Sequence, residues 1–307
     1  MKHMTTKLLT LMFALLLAAH SHARLRVVTS VPGLAALAKE VGGEHVEVES
    51  LARASQDPHF VDGRPSFIVR LNKADLLIYT GLGLERGWLP PLVVRARNAA
   101  IQKGAPGHLD ASNIAGHLLD SEGKQADRRQ GDVHPNGNPH YLYDPRRAAR
   151  VARGIAKRLA ELDPEHAESY RNRARAFNRR LAKKVAQWET LMARHRGKSL
   201  VGYHKSLAYL CNWLGLEQAG FVEPQPGISP SPKHLARLIR MMRQRAVGVV
   251  VSEPWYSKET SRVVAKKAKA QLVRLPGDVG ARGTKSYAEL MDRIISQLRR
   301  AYDEAER

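Results

Sequence analysis

Cysteine is almost absent from this chain: Cys211 stands alone among 307 residues. A lone thiol closes no internal disulfide, which excludes a small secreted module stapled by disulfides. Cys211 is read as a small core residue, with a thiolate metal ligand as the alternative. Aromatic residues are scarce at 6%, and acidic residues number 29 against 50 Lys and Arg, a formal net charge of +21. Such a basic excess invites nucleic acid as a partner. The cations are dispersed, aromatics are few and no zinc-finger spacing or RNA-binding sheet motif occurs, so no nucleic acid is expected. A solvated basic surface, drawn to anionic phospholipid or an acidic membrane partner, explains the charge better.

Long hydrophobic runs are also missing. The one candidate, Leu8 to Ala19, is shorter than the ~20 apolar residues a membrane span needs. Lys2 and Lys7 precede it and Ser21-His22-Ala23 follows, a pattern that predicts an export signal over residues 1–23 and a periplasmic location. No Cys stands at the cleavage site to take a lipid. Removing the signal leaves enough chain for two ordinary domains.

Strand and helix alternate through the rest. Leu25–Ser30, Val46–Leu51 and Ala74–Tyr79 read as strands. Pro32–Val41 and Pro65–Lys73 read as helices between them, and Glu85–Asn98 as a helix broken near Pro90-Pro91. Residues 117–139 are polar and read as a surface loop, with His117 and His134 as solvated residues at its edges. Asp144-Pro145 caps a helix ending near Leu162, and Asp163-Pro164 opens a run free of Gly and Pro to Arg196. Its apolar stripe (Tyr170, Ala174, Phe177, Leu181, Val185, Trp188, Leu191) suits a strut between two lobes better than a coiled coil. The alternation then resumes with strands at 199–203, 220–222, 247–252 and 271–275. The expected architecture is α/β: an N-terminal lobe over 24–163, a linking helix over 164–196 and a C-terminal lobe over 197–307.

Three histidines sit in turn-like settings far apart in sequence: Asp57-Pro58-His59, Asn138-Pro139-His140 and Gly202-Tyr203-His204. Each alone reads as an ordinary loop histidine. Proline stiffens the first two turns, however, and in open parallel sheets ligands gather beyond the carboxyl ends of strands. Neutral imidazole is the commonest metal donor near neutral pH, and three with one carboxylate suit tetrahedral zinc. Asp278 and Glu253 also follow strand ends; Asp278 reads either as the carboxylate ligand or as a turn residue. His108, His166, His195 and His234 have no supporting motif and are expected on the surface.

With these residues placed, the chain resembles the metal-binding subunits of ABC transporters, the zinc- and manganese-binding cluster of periplasmic solute-binding proteins. The likeness covers nearly the whole chain after residue 23. It rests on the three histidine motifs, Asp144-Pro145, Ser252-Glu253-Pro254, and Asp278 ahead of Ser286-Tyr287. It implies two Rossmann-like lobes joined by one long helix, with Zn2+ in the cleft as transported ligand, held by His59, His140, His204 and Asp278. Glu253 is then a partner for an imidazole N–H or a helix-entry residue. In the manganese branch the third position is Glu; His204 there implies zinc, since nitrogen donors favour it over manganese. A membrane permease is the implied partner, a periplasmic zinc metallochaperone a further one, and a monomer the expected state. The 117–139 loop departs from many zinc-binding relatives in carrying no histidine run. The remaining alternatives are a manganese-binding member and, in a different class, a secreted zinc hydrolase with Asp278 as base. No His-Glu-x-x-His helix or nucleophile elbow supports the hydrolase.

Overall fold

In a computed structural model, the residues described are 24–117, 119, 134, 136–225 and 227–307. The expected export signal and most of the 117–139 loop lie outside them. The first lobe runs β1 (Leu25–Thr29), α1 (Pro32–Gly42), β2 (Val46–Ser50), α2 (Pro65–Asn72), β3 (Leu76–Tyr79), α3 (Leu89–Arg95) and β4 (His108–Asp110). Its four strands are parallel in the order β2-β1-β3-β4. After α4 (Pro145–Leu162) and α5 (Ala167–Met192) comes a second lobe. It comprises β5 (Ser199–Gly202), α6 (Ala208–Leu214), β6 (Glu217–Phe221), α7 (Pro232–Gln244), β7 (Val249–Ser252), α8 (Lys258–Ala268), β8 (Gln271–Arg274) and α9 (Tyr287–Ala305). Its strands, again all parallel, are ordered β6-β5-β7-β8.

Both sheets therefore have their first strand flanked by the second on one side and the third on the other. This is the topological switch point at which parallel α/β sheets open a crevice. Strands β3 and β7 are buried on both faces, and their unbroken apolar sequences, Leu-Leu-Ile and Val-Val-Val, reflect that.

The linking segment begins with a 3-10 turn at Pro164–His166 and continues as α5 for 26 residues, about 39 Å at ~1.5 Å each. Tyr170, Ala174, Phe177, Leu181, Trp188 and Met192 are buried along it at spacings of three and four. This stripe packs on α1 and α4 of the first lobe and on α9 of the second. One apolar cluster consequently runs from Val27 and Leu76 through Tyr170 and Phe177 to Leu200 and Val249, so the lobes share a core.

Several local expectations are corrected. Leu191 points outward, 48% exposed, and Met192 takes its place in the stripe. Pro90 and Pro91 do not break a helix; they stand in the first turn of α3, where a missing N–H costs nothing. Strand β4 was not expected, because three residues are too few to show a period. His195 is fully buried, its Nδ1 bonded to Lys198 Nζ at 3.0 Å. His108 is held between the Ile101 carbonyl and the Tyr79 hydroxyl.

Candidate metal centre

Asp57-Pro58-His59 and Asn138-Pro139-His140 use one device twice. In the first, Asp57 Oδ1 accepts both the backbone N–H of His59 at 3.0 Å and its ring Nδ1–H at 2.8 Å. In the second, Asn138 Oδ1 accepts the same two groups of His140, both at 2.9 Å. An Asx oxygen two residues upstream with proline between closes a turn and fixes the imidazole tautomer together. Nδ1 carries the proton, so Nε2 is left as the donor atom. The Trp88 indole N–H to Pro58 O, 3.0 Å, braces the first turn; the Asn138 amide to Lys205 O, 2.9 Å, ties the second to the other lobe.

His204 follows β5 directly, and its Nδ1–H is taken by the carboxylate of Glu223, which follows β6. Glu253, after β7, instead accepts the Ser206 hydroxyl. Because β5 lies between β6 and β7, carboxylates past both neighbours flank the residues that leave its end. The candidate imidazole partner Glu253 is thus displaced by Glu223, which the sequence reading did not single out. The signal was present in Val222-Glu223-Pro224, the same acid-Pro pattern as Asp57-Pro58.

His59, His140 and His204 come together: each offers a nitrogen, and these atoms lie within 4.8 Å of one another. The ring centroids are 5.2–5.3 Å apart pairwise. His204 Nε2 is buried with no hydrogen-bond partner among the described residues. A buried polar atom without a partner is costly, and a cation at this point would satisfy it. Burial, then the neighbouring His204 and His59, pushes the His140 pKa well below its usual range, which keeps the imidazole neutral and ready to bind. Burial alone would raise Asp57, but its bond to His59 more than offsets this and holds the carboxylate below its usual range.

Asp278 is not among the atoms of that group. It lines the same cavity of about 80 Å3 that His59 and His140 border, and its Oδ1 accepts Val279 N–H at 2.7 Å. Burial raises its pKa to about 6. Gly33 makes room for it, since a Cβ there would stand 2.9 Å from Oδ1.

His134 departs from the expectation of a solvated loop residue. It is 4% exposed, its Nδ1 is bonded to the Leu82 carbonyl at 3.1 Å, and its Nε2 lies 3.3 Å from His59 Nε2. Nothing in its local sequence marks it out, because the groups it meets, Leu82 and His59, lie far away in the chain. Cys211 is buried at α6 and is not in the nitrogen group. Among the described residues no helix is long and apolar enough to cross a membrane.

A family model described as ZnuA, zinc-uptake complex component A, periplasmic, matches residues 27–301. The high-affinity zinc uptake system protein ZnuA of Yersinia pestis is 28% identical over 254 residues, 78% of this chain and 79% of that protein. The manganese ABC transporter substrate-binding lipoprotein PsaA of Streptococcus pneumoniae is 23% identical, covering 79% of this chain and 76% of its own. A crystal structure of ZnuA superposes with a TM-score of 0.75 at 24% identity, over 91% of this chain and 99% of that one. That likeness extends to the whole fold, with its two parallel-sheet lobes and the long helix between them.

Proposed function

The chain belongs to this family of zinc-uptake components, the metal-binding subunits of ABC transporters, and on that premise we propose that it captures Zn2+ in the periplasm and delivers it to a membrane permease. One observation carries the choice of zinc. Three imidazoles from separate segments converge with their Nδ1 protons committed to Asp57, Asn138 and Glu223, so that the nitrogens left to bind a cation are soft donors. Nitrogen-rich sites favour zinc, whereas manganese prefers oxygen. Asp278 is the proposed fourth ligand. Its carboxylate lines the same cavity as His59 and His140, which supports that role. Four protein ligands would close a tetrahedral shell and leave no open position for reactive water, which suits carriage and not hydrolysis.

The test is metal analysis after competition. The zinc-free protein is dialysed against equal Zn2+ and Mn2+, and one equivalent of zinc with little manganese is expected. Retention of manganese in preference to zinc would overturn the choice of ion and leave the family assignment standing. Delivery is tested in membranes containing the cognate permease, where the loaded protein should stimulate ATP hydrolysis and zinc uptake. No stimulation would remove the permease from the proposal.

A further inference from the structure

The linking helix α5 carries seven cations against two acids, Glu168 and Glu189, near its ends. Ion pairs sort the cations into two sets. Arg173 binds Glu44 and Arg180 binds Glu40, both carboxylates of the first lobe, and Lys184 binds Asp292 of the second. Arg171, Arg175, Arg179 and Lys183 are all exposed, and none of them is in an ion pair among the described residues.

These four recur at every fourth position, the spacing that makes one continuous ridge on a helix, about 18 Å long at ~1.5 Å per residue. Like charges four residues apart repel and weaken a helix slightly. The fold therefore gains nothing from the row, and a surface of opposite charge laid along it relieves the repulsion.

The chemistry of the ridge decides which kind of surface. The exposed positions from 171 to 183 hold Arg, Lys, Asn and Ala, with no aromatic and no large aliphatic side chain. Bases stack on aromatic rings and protein interfaces centre on apolar anchors, so neither a nucleic-acid strand nor a folded partner finds its usual hold here. An anionic bilayer needs neither. Cations alone adsorb to it, each adding about fivefold to partitioning when it lies near the surface. The formal net charge of +21 acts in the same direction at longer range.

We propose that the ridge from Arg171 to Lys183 is a docking face for an anionic phospholipid surface. None of the four residues lines the cavity of the metal centre, so docking leaves the ion in place. The inference goes beyond the zinc-carrier reading and holds whichever ion the site takes.

The test uses the chain from Arg24 onward, which contains every strand and helix of the fold and omits the apolar Leu8 to Ala19 run that would itself favour a bilayer. In sedimentation with vesicles of phosphatidylglycerol and phosphatidylcholine, it should bind at about 50 mM salt and be released at about 0.5 M. Pure phosphatidylcholine vesicles should not hold it. Arg171→Gln/Arg175→Gln/Arg179→Gln/Lys183→Gln should partition at least about thirtyfold more weakly. A control of equal net charge, Lys233→Gln/Arg240→Gln/Lys258→Gln/Lys266→Gln, changes four exposed cations of the second lobe and should lose less than about threefold. Both variants should keep the wild-type fold and zinc affinity, since all eight residues are exposed and none lines the metal cavity. No binding by wild type overturns the proposal, and so do equal losses in the two variants, which would assign adsorption to net charge alone. Binding of polyglutamate or single-stranded DNA in preference to the vesicles, through the same four residues, would put a polyanionic macromolecule in place of the bilayer and overturn it as well. Failure of the zinc-site reading would look different, because it leaves vesicle binding untouched.

Discussion

Glu223 takes the Nδ1 proton of His204, and the opposite nitrogen of that ring is buried without a hydrogen-bond partner among the described residues. A carboxylate behind a metal-binding imidazole fixes the tautomer, holds the ring plane and raises the basicity of the nitrogen that binds. Glu223→Ala is therefore expected to weaken zinc binding about 10–100-fold. Glu223→Gln, which keeps an acceptor oxygen but not the charge, should lose less. Chelator competition checks both, and an unchanged affinity in Glu223→Ala would show that Glu223 does not position His204.

The strand ends, the long strut and the two Asx-Pro-His turns were legible because each is a local pattern. Proline and its neighbours dictate a turn, an uninterrupted run free of Gly and Pro dictates a helix, and apolar runs mark β3 and β7. What was not legible depends on order across a sheet. Glu223 and Glu253 carry the same acid-Pro signature after a strand, and only the placement of β6 and β7 on either side of β5 decides which meets His204. His134 was hidden for a related reason. Its burial comes from Leu82 and His59, 52 and 75 positions away, and no local periodicity encodes such contacts.

The pH dependence of binding should carry the titration of Asp278 and not that of His140 or His134. The His140 pKa is pushed well below its usual value and that of His134 to about 3, so both are already neutral in mild acid. Asp278 is raised to about 6, and zinc must displace its proton below that pH. Affinity should change little between pH 8 and 6.5, then fall about tenfold per unit once one proton is displaced per ion. Asp278→Ala should bind more weakly at pH 7.5 and lack this step. A wild-type step retained in that variant would assign it to another group.

The same carboxyl should cost the zinc-free protein stability. Its folded pKa of about 6 exceeds the ordinary value of 3.8, so its contribution to stability is full below 3.8 and is lost as pH rises through about 6. A shift of roughly two units corresponds to about 3 kcal/mol at pH 8. Asp278→Asn keeps an acceptor for Val279 N–H and removes the charge. Zinc-free Asp278→Asn should thus melt several degrees above wild type at pH 8, with the gain shrinking as pH falls from 6 toward 4. Equal melting temperatures at pH 8 would show that the buried charge is compensated.

Cys211 should be inert while the chain is folded. Burial in α6 pushes its thiol up to about 12, so almost no thiolate exists at neutral pH. Alkylation by iodoacetamide at pH 7.5 should be at least about a hundredfold slower than in denaturant, with or without zinc. Fast reaction of the native zinc-free protein, slowed by zinc, would restore the thiolate-ligand reading.

The strut holds the two lobes to one core, and side-chain bonds tie it to the last helix. Trp188 is 1% exposed in the shared apolar cluster, and its indole N–H donates to Asp292 Oδ1 at 2.8 Å. Lys184 Nζ binds the other oxygen of Asp292, also at 2.8 Å. Asp292 is itself partly exposed, so the lysine pair adds little; the burial of the indole dominates. Trp188→Ala should cost about 3–5 kcal/mol, the range for emptying a core aromatic site. Trp188→Phe keeps most of the apolar surface and should cost less, from the lost hydrogen bond and the residual cavity. Because the cluster spans both sheets, Trp188→Ala should lower one cooperative transition and not split it in two. Two separate transitions in calorimetry would mean that the lobes unfold independently and that the core is shared in packing but not in stability.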